Sequence, residues 1–292
     1  MDYSYTFIIP HKNSPDLLLR LLNSIPKRDD IQVIVVDDNS DYEVVNFDAF
    51  PGLDMPNVEV IFNKEPRGAG YARNIGLRKA LGKWLFFADA DDYYLPTLNA
   101  LLDKYKSVYD VDIVYFNCCG ETPENNRCRE FNEYVERFKS GDLSAENNIR
   151  FHWWTPWNKI VRRSLVVDYD LTFEEVMSGN DARFCLLASY YANKICVEPD
   201  FYYVSTVQEK SITGRKKSLE ESLTNLSTMM RIWNFTVFAG SPAYLYYKNI
   251  MSLQVIVGIT RQYGIKGMFK YILLFWKEKM TFRLYEEIRP KL

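Results

Sequence analysis

Short apolar runs that stop at polar, mostly acidic residues set the strongest limit on this chain. Phe7-Ile8-Ile9 closes on Pro10-His11, and Ile31 to Val36 closes on Asp37-Asp38. Trp84 to Phe87 leads through Ala88 into Asp89-Ala90-Asp91-Asp92. Between the first two runs, Leu17, Leu18, Leu21 and Leu22 repeat at helical spacing after a Ser14-Pro15-Asp16 start. Gly70 to Leu81 reads as a second helix that Gly82 stops, and Val58 to Phe62 and Ile113 to Phe116 supply further strands. Apolar strands separated by helices predict an α/β fold, a mostly parallel sheet with helices on both faces. In such a sheet ligands bind outside the carboxyl ends of the strands, which is where these acids fall.

Carboxylates crowded beside buried strands repel one another and resist losing water. A divalent cation relieves both costs. Hard oxygen ligands suit Mg²⁺ or Mn²⁺, and Mg²⁺ commonly takes one or two carboxylates plus substrate phosphates. The acids at these strand ends, Asp37-Asp38 and Asp89-Ala90-Asp91-Asp92, therefore suggest a metal–diphosphate site. The plainer alternative is helix capping: Asp91 or Asp92 would start a helix through Leu98, Leu101 and Leu102, with Pro96 early in it. The segment Arg67 to Gly76 lies between the acid clusters. Gly68 and Gly70 permit close backbone approach at a helix start, and Arg73 offers a fork of donors to phosphate. The plainer reading is a loop followed by a helix whose Gly76 packs on the sheet.

The 36 Lys and Arg against 38 Asp and Glu leave a net charge of −2, so nothing global favours nucleic acid. At 47% hydrophobic and 25% charged residues, disorder and fibrous classes are excluded. Five cysteines without Cys-x-x-Cys spacing suggest a reduced compartment and no thiolate metal site. Met1 to Tyr5 has no basic leader region, and the apolar run Tyr271 to Trp276 is too short to span a bilayer. Gly120 to Asn148 is polar and reads as a surface crossing or a lid-like insertion. A division near Ser211–Lys217 separates a catalytic unit, 1–214, from a helical region, 215–292.

The ordered motifs resemble family 2 glycosyltransferases of the GT-A fold, of the type that builds bacterial capsule, exopolysaccharide or lipopolysaccharide. The resemblance rests on Phe7 to Asn13, Val35 to Ser40, Gly68 to Gly76 with Ala72-Arg73-Asn74, and Phe87 to Asp92. It continues in Pro156-Trp157-Asn158-Lys159, Phe173-Glu174-Glu175, Asn180-Asp181, and Tyr202-Tyr203 before Ser211-Ile212-Thr213. It implies a nucleotide-diphosphate sugar donor (UDP by default), a saccharide or lipid-linked acceptor, Mn²⁺ or Mg²⁺, and inversion at the anomeric carbon. Carried over by position, Pro10, His11, Asp38, Arg73, Asp89 and Ala90 bind the nucleotide sugar. Asp91 and Asp89 hold the metal, and Asp181 is the general base. His11 replaces the usual Tyr, Pro66-Arg67-Gly68 replaces Asn-x-Gly, and Asn180-Asp181 replaces Glu-Asp. No Gln-x-x-Arg-Trp motif occurs, which implies single-sugar addition.

Trp154, Trp157 and Asn180 are the acceptor candidates, with core packing the alternative for the tryptophans. For Asp181 the alternative is a cap on a helix from Ala182 to Ala192. Lys159 is read as a partner for phosphate, Glu174 or Glu175, or as a structural ion pair. A sugar nucleotidyltransferase is a rival reading, but the loop Pro10 to Pro15 lacks the glycine it needs. A catalytically inactive nucleotide-sugar-binding protein is the other. From Arg261 to Leu292 eight basic residues face three acids, a net +5, with Phe269, Ile272, Leu273 and Trp276 on one helical face. That pattern suits either the surface of an anionic membrane or packing on the catalytic unit. The expected place is cytoplasmic, peripheral to the inner face of the cell membrane.

Overall fold

In the computed structural model residues 3–121, 128–176, 179–206, 218–241 and 253–287 are described. The expected division at 211–217 and the Ser211-Ile212-Thr213 motif lie outside them. The chain runs β1 (Tyr5–His11), α1 (Pro15–Ser24), β2 (Ile31–Asp38), β3 (Val58–Asn63), α2 (Ala69–Lys79), β4 (Trp84–Phe87), β5 (Tyr93–Tyr94) and α3 (Leu98–Tyr105). It continues with β6 (Ile113–Gly120), α4 (Arg129–Lys139), α5 (Ser144–Phe151), β7 (Lys159–Arg162), α6 (Arg163–Asp168), α7 (Ala182–Tyr191) and β8 (Ile195–Ser205). Two longer helices follow, α8 (Leu219–Phe238) and α9 (Leu253–Glu287).

The strands form one sheet in the order β3-β2-β1-β4-β7-β6-β8-β5. β3, β2, β1 and β4 are mutually parallel, β6 is parallel to β8, and β7 and β5 run against their neighbours. The chain leaves β1 toward β2 and β3, then returns to place β4 on the other side of β1. That reversal is a switch in strand order at β1 and β4, and open sheets bind ligands at the carboxyl ends of such a switch. Register brings His11 beside Asp37, and Asp38 beside Asn63, along that rim.

Both faces of the sheet are covered. Alternate residues of β2 divide between two cores, Val33 and Val35 into the main one and Ile34 and Val36 against Ala72 of α2. Leu18, Leu21 and Leu22 bury the apolar stripe of α1. The polar stretch after Gly120 is no lid where it is described. Its helices α4 and α5 bury Phe131, Tyr134 and Val135, and Ala145, Ile149 and Phe151, so helical amphipathicity hid there under a polar average.

A capping box opens α8: Glu221 N–H donates to Ser218 Oγ at 3.2 Å, and Ser218 N–H to Glu221 Oε2 at 2.8 Å. Ile232 and Phe235 of α8 join the main core. Met230 packs instead with Ile259 and Tyr271 of α9 in a smaller cluster. Gly264, at φ 71°, breaks the helical path of α9. No described helix is long and apolar enough to cross a membrane.

Candidate active site

The rim is built from the β2 end outward. Asp37 is buried. It takes hydrogen bonds from His11 Nδ1 at 2.8 Å, from Ser40 Oγ at 2.5 Å and from Ser40 N–H at 2.9 Å. Burial alone raises its carboxyl, but the His11 and Ser40 bonds outweigh that and hold it below the ordinary value. Ser14 N–H donates to His11 Nε2 at 3.1 Å, which places the His11 proton on Nδ1. The ring is buried edge-on to Phe50, its centroid 5.1 Å away. With both nitrogens bonded and the ring buried, His11 braces the rim. Pro10 and Ala90 are likewise buried.

Asp38 organises the loop before α2. Its carboxylate accepts from Arg67 N–H at 3.0 Å, Gly68 N–H at 2.9 Å and the Asn63 amide at 3.2 Å. The aspartate therefore sets the path of residues 63–68. Gly68, at φ 86°, turns that loop into the first residue of α2.

Three consecutive residues of α2 then have separate tasks. Ala72 packs on β2, and Asn74 pairs twice with the Phe173 backbone, at 2.8 and 2.9 Å. Arg73 spans the site: Nη2 donates to Asp89 Oδ1 at 2.5 Å and Nη1 to Asn180 Oδ1 at 2.7 Å. Its guanidinium carbon sits 5.3 Å from the Phe173 ring centroid. Arg73 thus joins Asp89, two residues past β4, to Asn180, which lies 107 positions beyond Arg73 itself. Gly70 allows the loop carrying Asn180 to come this close: a Cβ there would stand 2.0 Å from the Glu174 carbonyl oxygen. Gly76 is pressed on Ile8 of β1, where a Cβ would fall 2.5 Å from Cγ2. Gly76 thus packs on the sheet, as its plainer reading has it, and Gly70 permits a close backbone approach at the helix start.

After β4 the three acids occupy different environments. Asp89 and Asp91 are half-buried and Asp92 is buried. Asp92 accepts from Tyr203 Oη and from Thr206 N–H, each at 2.7 Å, while Asp89 N–H donates to Tyr203 Oη at 3.0 Å. Burial, then the charges of Asp89 and Asp91, push the Asp92 carboxyl well above the ordinary range against those bonds. Neither Asp91 nor Asp92 caps α3, whose first residue follows Thr97. Among the described residues no three His, Cys, Asp or Glu side chains form a preformed metal cage. Two half-exposed carboxylates whose charge raises a neighbour's proton affinity fit a hard cation completed by phosphate oxygens.

Asp181 occupies the N-cap position of α7 and makes no side-chain capping bond. Its backbone oxygen accepts from Cys185 N–H at 3.0 Å, so the helix starts at the residue after Asn180-Asp181. The charge of Asp181 reaches Lys159, which is buried and donates to the Trp153 carbonyl at 3.2 Å. Burial depresses the Lys159 ammonium, and Cys185 and Asp181 offset only part of this. Lys159 is therefore no phosphate or Glu174 partner: Glu174 pairs with Arg231 at 3.1 Å and Glu175 with Arg67 at 2.9 Å.

Trp157 is 1% exposed and stacks on Tyr203 with centroids 5.2 Å apart. The ring packs in the core, the alternative weighed for it against an acceptor platform. Trp154 is only partly buried. Residue patterns alone do not single out Tyr203, Asn74 or Arg231, although the first two stand inside family-like motifs.

Residues 6–169 match the family described as Glycosyl transferase family 2. The chain belongs to that family. Its fold is the α/β, GT-A architecture anticipated from its motifs. Poly(ribitol-phosphate) beta-N-acetylglucosaminyltransferase TarS of Staphylococcus aureus is 29% identical over 216 residues, 70% of this chain and 36% of its own length. Succinoglycan biosynthesis protein ExoO of Rhizobium meliloti is 29% identical over 223 residues, 71% of this chain and 62% of its own. The chain thus spans less than two thirds of either relative. Among solved structures, S. aureus TarS 1-349 in complex with UDP-GlcNAc superposes with a TM-score of 0.66 at 21% identity, covering 94% of this chain and 80% of that one. Mannosyltransferase PcManGT from Pyrobaculum calidifontis, in complex with GDP-Man and Mn²⁺, gives 0.58 at 16% identity, covering 95% and 75%.

Proposed function

We propose that this family 2 enzyme transfers one sugar per encounter from a UDP-sugar to a hydroxyl of a saccharide or lipid-linked saccharide. Inversion at the anomeric carbon and a role in bacterial surface polysaccharide are part of the reading. The observation that carries it is the Arg73 fork, which brings Asp89 and the Asn180-Asp181 pair to one crevice. The complex of TarS 1-349 with UDP-GlcNAc supports the choice of UDP. The motif evidence for single addition is the missing Gln-x-x-Arg-Trp sequence.

In this reading Asp38 shapes the loop that receives the nucleotide, and Arg73 holds Asp89 in place and faces the diphosphate. Asp91, with Asp89, would hold Mn²⁺ or Mg²⁺, which when bound neutralises charge developing on the leaving diphosphate. Asp181 accepts the acceptor hydroxyl proton as that oxygen attacks, a contribution of ~10²–10⁴-fold for a positioned base. Attack from the face opposite the leaving group inverts the centre without an enzyme nucleophile. Asp181 stands at the N-cap position of α7, next to Asn180, whose side chain Arg73 holds. Trp154 and Asn180 remain as acceptor contacts.

A thermal-shift screen of UDP-, GDP- and dTDP-sugars with and without Mn²⁺ tests the reading, since a ligand held only by the folded state raises the melting temperature. A metal-dependent rise with UDP-sugars is expected. No rise with any nucleotide sugar would overturn it.

A further inference from the structure

After Gly264, both sides of α9 as far as Glu278 are apolar, and among the described residues only one of them is covered. Tyr271 and Glu278 are buried, with Leu274 and Phe275 partly buried, on the side that meets α8. The other side carries Ile265, Phe269, Ile272, Leu273 and Trp276 at intervals of three to four residues, all 37–68% exposed. At 3.6 residues per turn, Lys266, Lys270 and Lys277 line up along one edge of that stripe. The one acid in 261–278 is Glu278, and it is turned inward. Within 261–278 the open side is an exposed apolar stripe edged by Lys266 and Lys270, which suits an occupant that is greasy and negative.

The buried side ties this helix to the site. Glu278 Oε1 takes a hydrogen bond from Ser227 Oγ at 2.5 Å and lies 3.4 Å from Arg231 Nη1. Arg231 Nη2 reaches Glu174 Oε2 at 3.1 Å, and Glu174 N–H donates to the Asn180 carbonyl at 3.0 Å. A continuous polar relay thus runs from α9 through α8 to the loop that carries Asp181.

We propose that the outer side of α9 docks the enzyme on an anionic phospholipid surface. Apolar side chains then enter the headgroup boundary, Trp276 sits at the interface, and the lysine edge meets lipid phosphates. A second copy of the chain fits badly: an isologous contact would bring two cationic rims together. The relay sets the Asp181 loop at a fixed attitude to that surface, which suits an acceptor held there by a lipid. That last clause rests on the proposed function, whereas docking does not.

Flotation of the full chain with vesicles is the test. Vesicles of equal parts phosphatidylglycerol and phosphatidylcholine should carry the protein up, and phosphatidylcholine vesicles should carry much less. Phe269→Asp with Leu273→Asp should abolish flotation. Lys266→Glu and Lys277→Glu should each lower vesicle partitioning about fivefold or more, and added salt should do the same. These side chains are exposed, so the nucleotide-induced thermal shift should stay as in the parent. That separates loss of docking from loss of the donor site. Absence of flotation on anionic vesicles would overturn the proposal, as would flotation indifferent to these substitutions. So would an oligomer dissolved by Phe269→Asp with Leu273→Asp in a protein that never binds vesicles.

Discussion

Arg73 shows how much of this site depends on the shape of a single side chain. A planar guanidinium serves Asp89 and Asn180 at once, and a lysine ammonium has no comparable fork. Arg73→Lys should lower kcat/KM about 10–100-fold while leaving the helical circular dichroism unchanged. Parent-like kinetics would mean that the bridge does not matter. Tyr203 holds the acidic run by its other edge, accepting from Asp89 N–H and donating to Asp92. Tyr203→Phe leaves the Asp89 N–H without its acceptor and Asp92 with Thr206 N–H alone, and should cost about 1–3 kcal/mol in urea unfolding. The acids themselves were legible because apolar strands end on them. The fate of the tryptophans was not: an aromatic cluster looks the same in sequence whether it stacks inward on Tyr203, as Trp157 does, or stands at the surface.

Among the elements, α2 is where packing and chemistry share residues. Gly70→Ala places a Cβ against the Glu174 carbonyl, so the loop bearing Asn180 must retreat. Transfer should fall by more than about 100-fold, because misplacing a catalytic group by an ångström is that costly. An unchanged rate would contradict the close approach. The start of β2 is fastened to α3 by Arg28, which bonds Asp30 at 2.9 Å and Asp103 at 2.7 Å, with Lys106 on Asp30 at 2.9 Å. The Arg28 hydrogen bond, helped by Lys106 and opposed by burial, lowers the Asp30 carboxyl to about 2. A carboxyl depressed on folding stabilises above its unfolded value, so this contribution is full above about pH 4 and is lost as pH falls toward 2. Asp30→Asn should remove about 1–2 kcal/mol from the stability at pH 7 and flatten that part of the acid profile. Strands β1 to β4 were readable as apolar runs. β7 was not, since its four residues include Lys159 and Arg162, both drawn inside by tertiary partners. β8 was hidden by Pro199 and Asp200 in its middle, next to the point where its register with β6 shifts.

Across the whole molecule, the sheet order does the gathering. Because β4 lies beside β1 while β2 and β3 lie on the other side, acids distant in sequence share one rim. The second half of the chain then folds back through β7 and α7, and Arg73 closes the gap between the halves. That convergence was foreseeable only as an order of motifs, since no local pattern specifies a contact 107 residues apart. The family, the fold and the polar rim were legible from sequence; the apolar stripe of α9 showed its open side only once the buried side was known. Central to the proposed reaction is Asp181 as the base of a site whose donor is held by other residues. Nucleotide release and donor affinity, measured side by side in the parent and in Asp181→Asn with Mn²⁺ present, address it directly. We expect affinity within about threefold of the parent and turnover lower by at least ~10²-fold. Full turnover in Asp181→Asn would contradict that role.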